Sequence, residues 1–119
     1  MNDHIRLLLE LSNKINSKAI SLTRMLILSL LNYFKDGLQY RQLKTALNIS
    51  DGKLYANLER MIEMGYIEKS LVEIGNKELT TFFITPKGRN ELSKIVELMN
   101  ILLKIEKESL GVEDDKSNR

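Results

Sequence analysis

The chain has 119 residues, a formal net charge of +2, 43% apolar residues, one histidine and no cysteine. That length suits one domain with its own hydrophobic core, and the missing cysteines exclude disulfides, zinc–thiolate and iron–sulfur sites and thiol catalysis. The longest apolar stretch, Met25 to Leu31, contains Ser29 and is far shorter than the roughly 20 residues of a membrane-spanning helix; Asp3 and Glu10 flank Leu7-Leu8-Leu9 in a way no signal peptide does.

Ile5, Leu8, Leu9, Leu11 and Ile15 recur at helical spacing and predict a first helix over 5–15. After a break at Asn16-Ser17, either Ser17 or Ser21 caps a second helix running to about Phe34. Its apolar residues, from Leu22 through Leu31 to Phe34, lie on most sides, so a buried central pillar is expected. Lys35-Asp36-Gly37 ends it, the glycine serving a left-handed turn. Tyr40, Leu43, Ala46 and Leu47 predict a short third helix over 40–47. Following a tight turn at 47–50, Ser50 is the N-cap of a fourth helix and Asp51 sits at its positive end. Leu54, Leu58, Met61 and Ile62 form its inward stripe, and Gly65 closes it. Strands are expected over 66–74 and 78–84, joined by Gly75-Asn76-Lys77. Thr85 then caps a last helix with Pro86 at its first position. That helix runs to about Leu110 and carries Leu92, Ile95, Met99 and Leu102 on an a/d pattern.

Helix, tight turn, helix and hairpin in that order describe a winged helix-turn-helix, mainly α with a small β-hairpin wing. The expected organisation is one domain over 1–110, with a core at 20–85, a dimerisation helix at 86–110 and a flexible polar tail at 111–119. The apolar residues of the last helix exceed what one seam needs. Ile5, Leu8, Leu92, Ile95, Met99 and Leu102 are therefore the expected homodimer interface, shared by the N- and C-terminal helices.

Four segments carry a family resemblance: 24–31; 38–47; 49–58, from Ile49-Ser50-Asp51-Gly52 to Leu58; and the pair 64–67 with 84–88, the latter Ile84-Thr85-Pro86-Lys87-Gly88. Together they resemble small prokaryotic, archaeal-type winged-helix transcriptional regulators of the MarR-, ArsR- and PadR-like kinds. The likeness covers about residues 20–105. It implies a recognition helix over 50–64 whose Asp51, Gly52, Lys53, Tyr55, Ala56 and Asn57 face the DNA major groove, and a wing over 73–78 with Lys77 at its tip.

The residues themselves leave these roles open. Asn57 has the chemistry to pair with adenine, or is a solvated polar position. Tyr55 either meets the DNA backbone or packs on the neighbouring helix. Lys53 and Arg60 suit phosphate contacts, or pair with Glu59 and Glu63 on their own helix. Arg41, Lys44 and Lys77 suit the backbone equally, or are solvated charges. Residues 38–79 weigh against strong nonspecific binding: six basic residues (Arg41, Lys44, Lys53, Arg60, Lys69, Lys77) face six acidic ones (Asp51, Glu59, Glu63, Glu68, Glu73, Glu78).

His4 has no cluster of partners for a metal site or a triad. No phosphate-loop or dinucleotide pattern occurs. Neither enzymatic activity nor a cofactor or metal is expected, and the sequence specifies no small-molecule effector. The reading is a cytoplasmic, nucleoid-associated homodimer that binds double-stranded DNA, does not enter a membrane and regulates transcription. Its rival is a winged helix that docks proteins without binding DNA, which the neutral balance of 38–79 would also suit.

Overall fold

The computed structural model describes residues 2–111, and these fall into two compact units, 17–92 and the paired ends of the chain. The expected tail, apart from Gly111, lies outside the described residues.

The larger unit holds α2 (Leu22–Tyr33), β1 (Leu38–Gln39), α3 (Tyr40–Leu47), α4 (Asp51–Glu63), β2 (Ile67–Ile74), β3 (Lys77–Ile84) and the first residues of α5 (Pro86–Ser109). A 3-10 turn at Ser17–Ala19 precedes α2. Ser21, rather than Ser17, caps α2: its side chain accepts a hydrogen bond from the Arg24 amide. The capping positions read from sequence for the later helices are occupied as expected. Ser50 Oγ accepts from the Lys53 amide at 3.2 Å, and Thr85 Oγ1 accepts from the Gly88 amide at 3.0 Å. Thr85 also donates to the Gly65 carbonyl at 2.7 Å, tying the start of α5 to the end of α4.

Gly65 ends α4 for a specific reason. Its φ of +80° lets the Gly65 and Tyr66 amides turn back onto the Ile62 and Met61 carbonyls, which satisfies two orphan acceptors of the last turn. Gly37 does two things. Its φ is +86°, and a Cβ there would lie 2.6 Å from Thr81 and 2.9 Å from the Phe82 carbonyl, so the backbone passes against β3 where no side chain fits.

The sheet has three antiparallel strands in the order β1-β3-β2. The two-residue β1, which pairs Leu38 with Phe82 and Gln39 with Thr81, is absent from the sequence reading. Two residues are too few to show an alternation. The hairpin turn is Gly75-Asn76 alone; Lys77 belongs to β3, opposite Ile74. Past Ile67, β2 has no buried residue, so the hairpin stands out as a wing.

The core of this unit gathers Ile27, Leu28 and Leu31 of α2, Leu43 of α3, Leu54, Leu58 and Met61 of α4, and Tyr66, Ile67, Phe82, Ile84 and Leu92. The expectation that α2 is buried all round is corrected here. Leu22, Leu26 and Tyr33, at helical spacing along one side, are exposed, as is Phe34. In this unit α2 packs by one face.

The smaller unit pairs α1 (Asp3–Ser12) with the later part of α5. Asn2 and His4 both bond the Glu108 carboxylate, at 3.0 and 2.5 Å, and Lys94 Nζ donates to the Lys14 carbonyl at 3.3 Å. The two helices therefore run antiparallel within the unit. His4 thus has one carboxylate partner, in an exposed position.

Candidate nucleic-acid interface

Helix α4 has two faces because its apolar residues recur every three to four positions. Leu54, Leu58 and Met61 are fully buried, whereas Asp51, Gly52, Lys53, Tyr55, Ala56 and Arg60 are exposed. A Cβ at Gly52 would meet nothing within 4 Å, so the first turn is open to an approaching surface. Tyr55 is 61% exposed, which removes the alternative that it packs on the neighbouring helix.

The acids of α4 are compensated one by one. Asp51 lies 3.9 Å from Lys44 of α3 and accepts a 2.9 Å bond from the Tyr40 hydroxyl. Glu59 lies 3.6 Å from Lys69 of the wing, and Glu63 lies 3.4 Å from Arg60. Lys44 and Arg60 are thus each shared with a carboxylate. Among the described residues, Arg41, Lys53 and Lys77 enter no ion pair. Desolvation first, and then the Asp51 carboxylate, hold the Tyr40 phenol above its ordinary pKa of 10.0. The Tyr40–Asp51 bond locks the turn between α3 and α4 in its protonated form.

Two open clefts, each of about 530 Å³, hold the unpaired cations. Arg41 and Lys77 share one with Gln39, Tyr40 and Thr80, so the start of α3 and the wing meet there. Lys53 and Asn57 line the other, with Lys18 and Arg24 from the entry to α2. The wing is the less favourable part. Glu73 and Glu78 stand directly opposite each other across the hairpin, beside Lys77, and like charges so placed repel.

Two sequence expectations need correction. Asn57 is not a free polar reader: its Oδ1 accepts from Arg24 Nε at 2.8 Å and its Nδ2 donates to the Lys53 carbonyl at 2.8 Å. Each end of the amide is engaged once, so Asn57 is oriented toward Arg24 and the Lys53 carbonyl, with one N–H and one oxygen lone pair left over. The Ser50 hydroxyl accepts the Lys53 amide as the cap of α4 and keeps its own O–H as a donor. The a/d series of α5 is the second correction. Leu92 and Ile95 are 8% and 1% exposed in the single chain, whereas Met99 and Leu102 are 45% and 46% exposed. Ile5 and Leu8 are half-buried. The regular spacing treats all four positions of α5 alike, and burial separates them.

Arg24 and Lys18 precede the 38–79 segment in sequence, so its charge balance does not include them, although both line a cleft with Lys53. The signal available for Arg24 was its place three residues after a capping serine, where the helix turns its side chain back over the entry loop.

The profile of the winged helix DNA-binding domain matches residues 23–103. The uncharacterized protein MJ0432 of Methanocaldococcus jannaschii is 34% identical over 82 residues, covering 66% of this chain and 88% of its own. The transcriptional regulator Tm0710 of Thermotoga maritima superposes with a TM-score of 0.66 at 19% identity, over 85% of this chain and 68% of its own. MepR of S. aureus, solved as a complex with DNA, gives a TM-score of 0.67 at 14% identity, over 97% of this chain and 78% of its own. The two solved structures establish a shared fold, and the resemblance to small winged-helix regulators stands. Since the matched profile runs from α2 through most of α5, this chain belongs to the winged helix DNA-binding domain family.

Proposed function

We propose that the protein is a cytoplasmic homodimeric transcriptional regulator that places α4 in the major groove of double-stranded DNA. The observation that carries this reading is the two-faced α4. Its apolar stripe is buried, its acids are compensated, and Lys53 stands unpaired beside an open first turn. Tyr55, Ala56 and Gly52 supply the surface that meets base edges and sugars. Arg41, Lys53 and Lys77 supply the phosphate contacts that fix register. MepR, similar in fold, is a DNA-bound precedent.

Pairing falls to the exposed apolar residues Val96, Met99, Leu102 and Leu103 of α5, with the exposed Leu7 of α1. Leu92 and Ile95 serve the protomer's own interior instead. Two protomers related by a twofold axis then read half-sites about one helical turn apart.

Three cations per protomer neutralise six phosphates in the dimer, which sets a log–log salt slope of about −5. Selection of bound duplexes from a random pool, followed by anisotropy titration across salt, tests this. A slope near zero would overturn it. A second reading, a winged helix that docks proteins, is favoured by the exposed side of α2 with Leu22, Leu26 and Tyr33. A random pool from which no duplex is enriched would decide for it.

A further inference from the structure

We propose that the cleft between the entry to α2 and α4 seats a DNA backbone phosphate, with Lys18, Arg24 and Lys53 as its cationic wall and Asn57 as the strut that holds Arg24. This rests on the DNA-binding reading above and extends the contact surface from α4 to the entry of α2.

The cleft, about 530 Å³, is lined by three cations, by the hydroxyl residues Ser17, Ser21 and Thr23, and by no carboxylate. In a chain with 16 acidic residues to 18 basic ones, that local composition is a strong positive focus. It also accounts for what the neutral count over 38–79 conceals: two of the three charges come from residues 18 and 24, brought to Lys53 by the fold.

Arg24 is held rather than loose. Nε donates to Asn57 Oδ1 at 2.8 Å and one terminal nitrogen donates to the Lys18 carbonyl at 2.7 Å. The Lys18 carbonyl and the Asn57 amide fix the plane of the guanidinium, and its other terminal nitrogen keeps its donors for an oxyanion. A planar fork already fixed in place loses little entropy on binding a phosphate. Because Asn57 also bonds the Lys53 carbonyl, the same amide couples the cleft to the first turns of α4. A phosphate seated here sets the depth at which α4 enters the groove.

The test uses the full chain and a duplex selected by the wild type. Lys18→Ala keeps the backbone carbonyl that Arg24 uses, so it removes charge without loosening the strut. Arg24→Met removes the fork, and Lys35→Ala, on the loop after α2, is the control. If the cleft seats one phosphate per protomer, each of the two cleft variants flattens the dimer's salt slope by up to about 1.8, the control does not, and the loss is uniform across unrelated duplexes. Asn57→Ala weakens affinity but keeps the wild-type slope, since no charge is lost.

An unchanged slope in both Lys18→Ala and Arg24→Met, with wild-type binding intact, overturns the cleft while leaving the DNA-binding reading in place. A wild type that binds no duplex overturns that reading and the cleft with it. Inorganic phosphate at millimolar concentration, followed by the Asn57 side-chain amide in a nitrogen–proton spectrum, separates the remaining source. A shift there together with unchanged slopes in the variants means a free oxyanion occupies the cleft, and the DNA assignment falls.

Discussion

Neighbouring residues on α4 are expected to respond in opposite ways to the same truncation, and the contrast tests the placement of the helix directly. Leu54 is 0% exposed and Tyr55 is 61% exposed, one residue and about 100° of helix apart. Leu54→Ala deletes three carbons from a side chain that is fully buried in the core, and such changes cost about 2–5 kcal/mol. For a domain of this size 1 kcal/mol moves Tm by about 4 °C, so a fall of about 8–20 °C is expected. Tyr55→Ala removes a larger side chain but little burial, and its stability should stay within about 0.5 kcal/mol of wild type. Its effect belongs to binding: the DNA complex should weaken severalfold while Tm barely moves. Thermal unfolding by circular dichroism and anisotropy titration on a selected duplex read the two quantities separately. If Tyr55→Ala melted as early as Leu54→Ala, the helix would be rotated from the orientation described and the outward face assigned to DNA would be wrong.

Other expectations follow from single contacts. Met99→Glu with Leu102→Glu should convert a sedimenting dimer to monomer while leaving the protomer folded, whereas Leu92→Ala should lower Tm by the cost of a buried cavity; a monomeric wild type at micromolar concentration would remove the basis for the pairing face. Gly88→Ala places a Cβ 2.1 Å from the Tyr66 carbonyl, so the start of α5 must shift and Tm should drop by several degrees, by about 1–3 kcal/mol of overpacking. Glu78→Thr removes the Glu73–Glu78 repulsion and should stabilise the wing by about 0.2–1 kcal/mol, seen as slower amide exchange in the hairpin, and should also strengthen binding to unrelated duplexes. Tyr40 should titrate above 10.0, and Asp51→Asn should bring its midpoint part of the way down, since desolvation remains. The folded-state pKa is the higher one, so the Tyr40–Asp51 contribution is complete below pH 10 and is lost as pH rises through the shifted value.

The helical part of the reading head was legible because its signals are local. The caps of Ser50 and Thr85, the positive φ of Gly65 and the first-turn place of Pro86 each depend on residues within four positions, and each is in the structure what type and place implied. The fold family follows from their order. By contrast, β1 is two residues long and exists only because β3 lies beside it. The exposure of Leu22, Leu26 and Tyr33 was equally hidden, since an apolar residue announces a preference for burial and not the presence of a neighbour to provide it.

The candidate site divides along the same line. Which residues could touch DNA was readable from chemistry: lysines, arginines, a tyrosine and an asparagine on one predicted helix. Which of them are at liberty to do so depended on partners distant in the chain. Asn57 is claimed by Arg24, Asp51 by Tyr40 and Lys44, and Glu59 by Lys69. A charge count along a segment assumes that neighbours in sequence share a field. The field that matters here is summed in space, where Lys18, Arg24 and Lys53 border one cleft and no carboxylate enters.

By itself, the amino-acid order determined where helices begin and stop and which side of each is apolar, because those depend on backbone hydrogen bonds and side-chain periodicity a few residues long. The tertiary structure alone decided which apolar faces are covered and which polar groups remain unspent, because burial and pairing are properties of residues brought together from far apart.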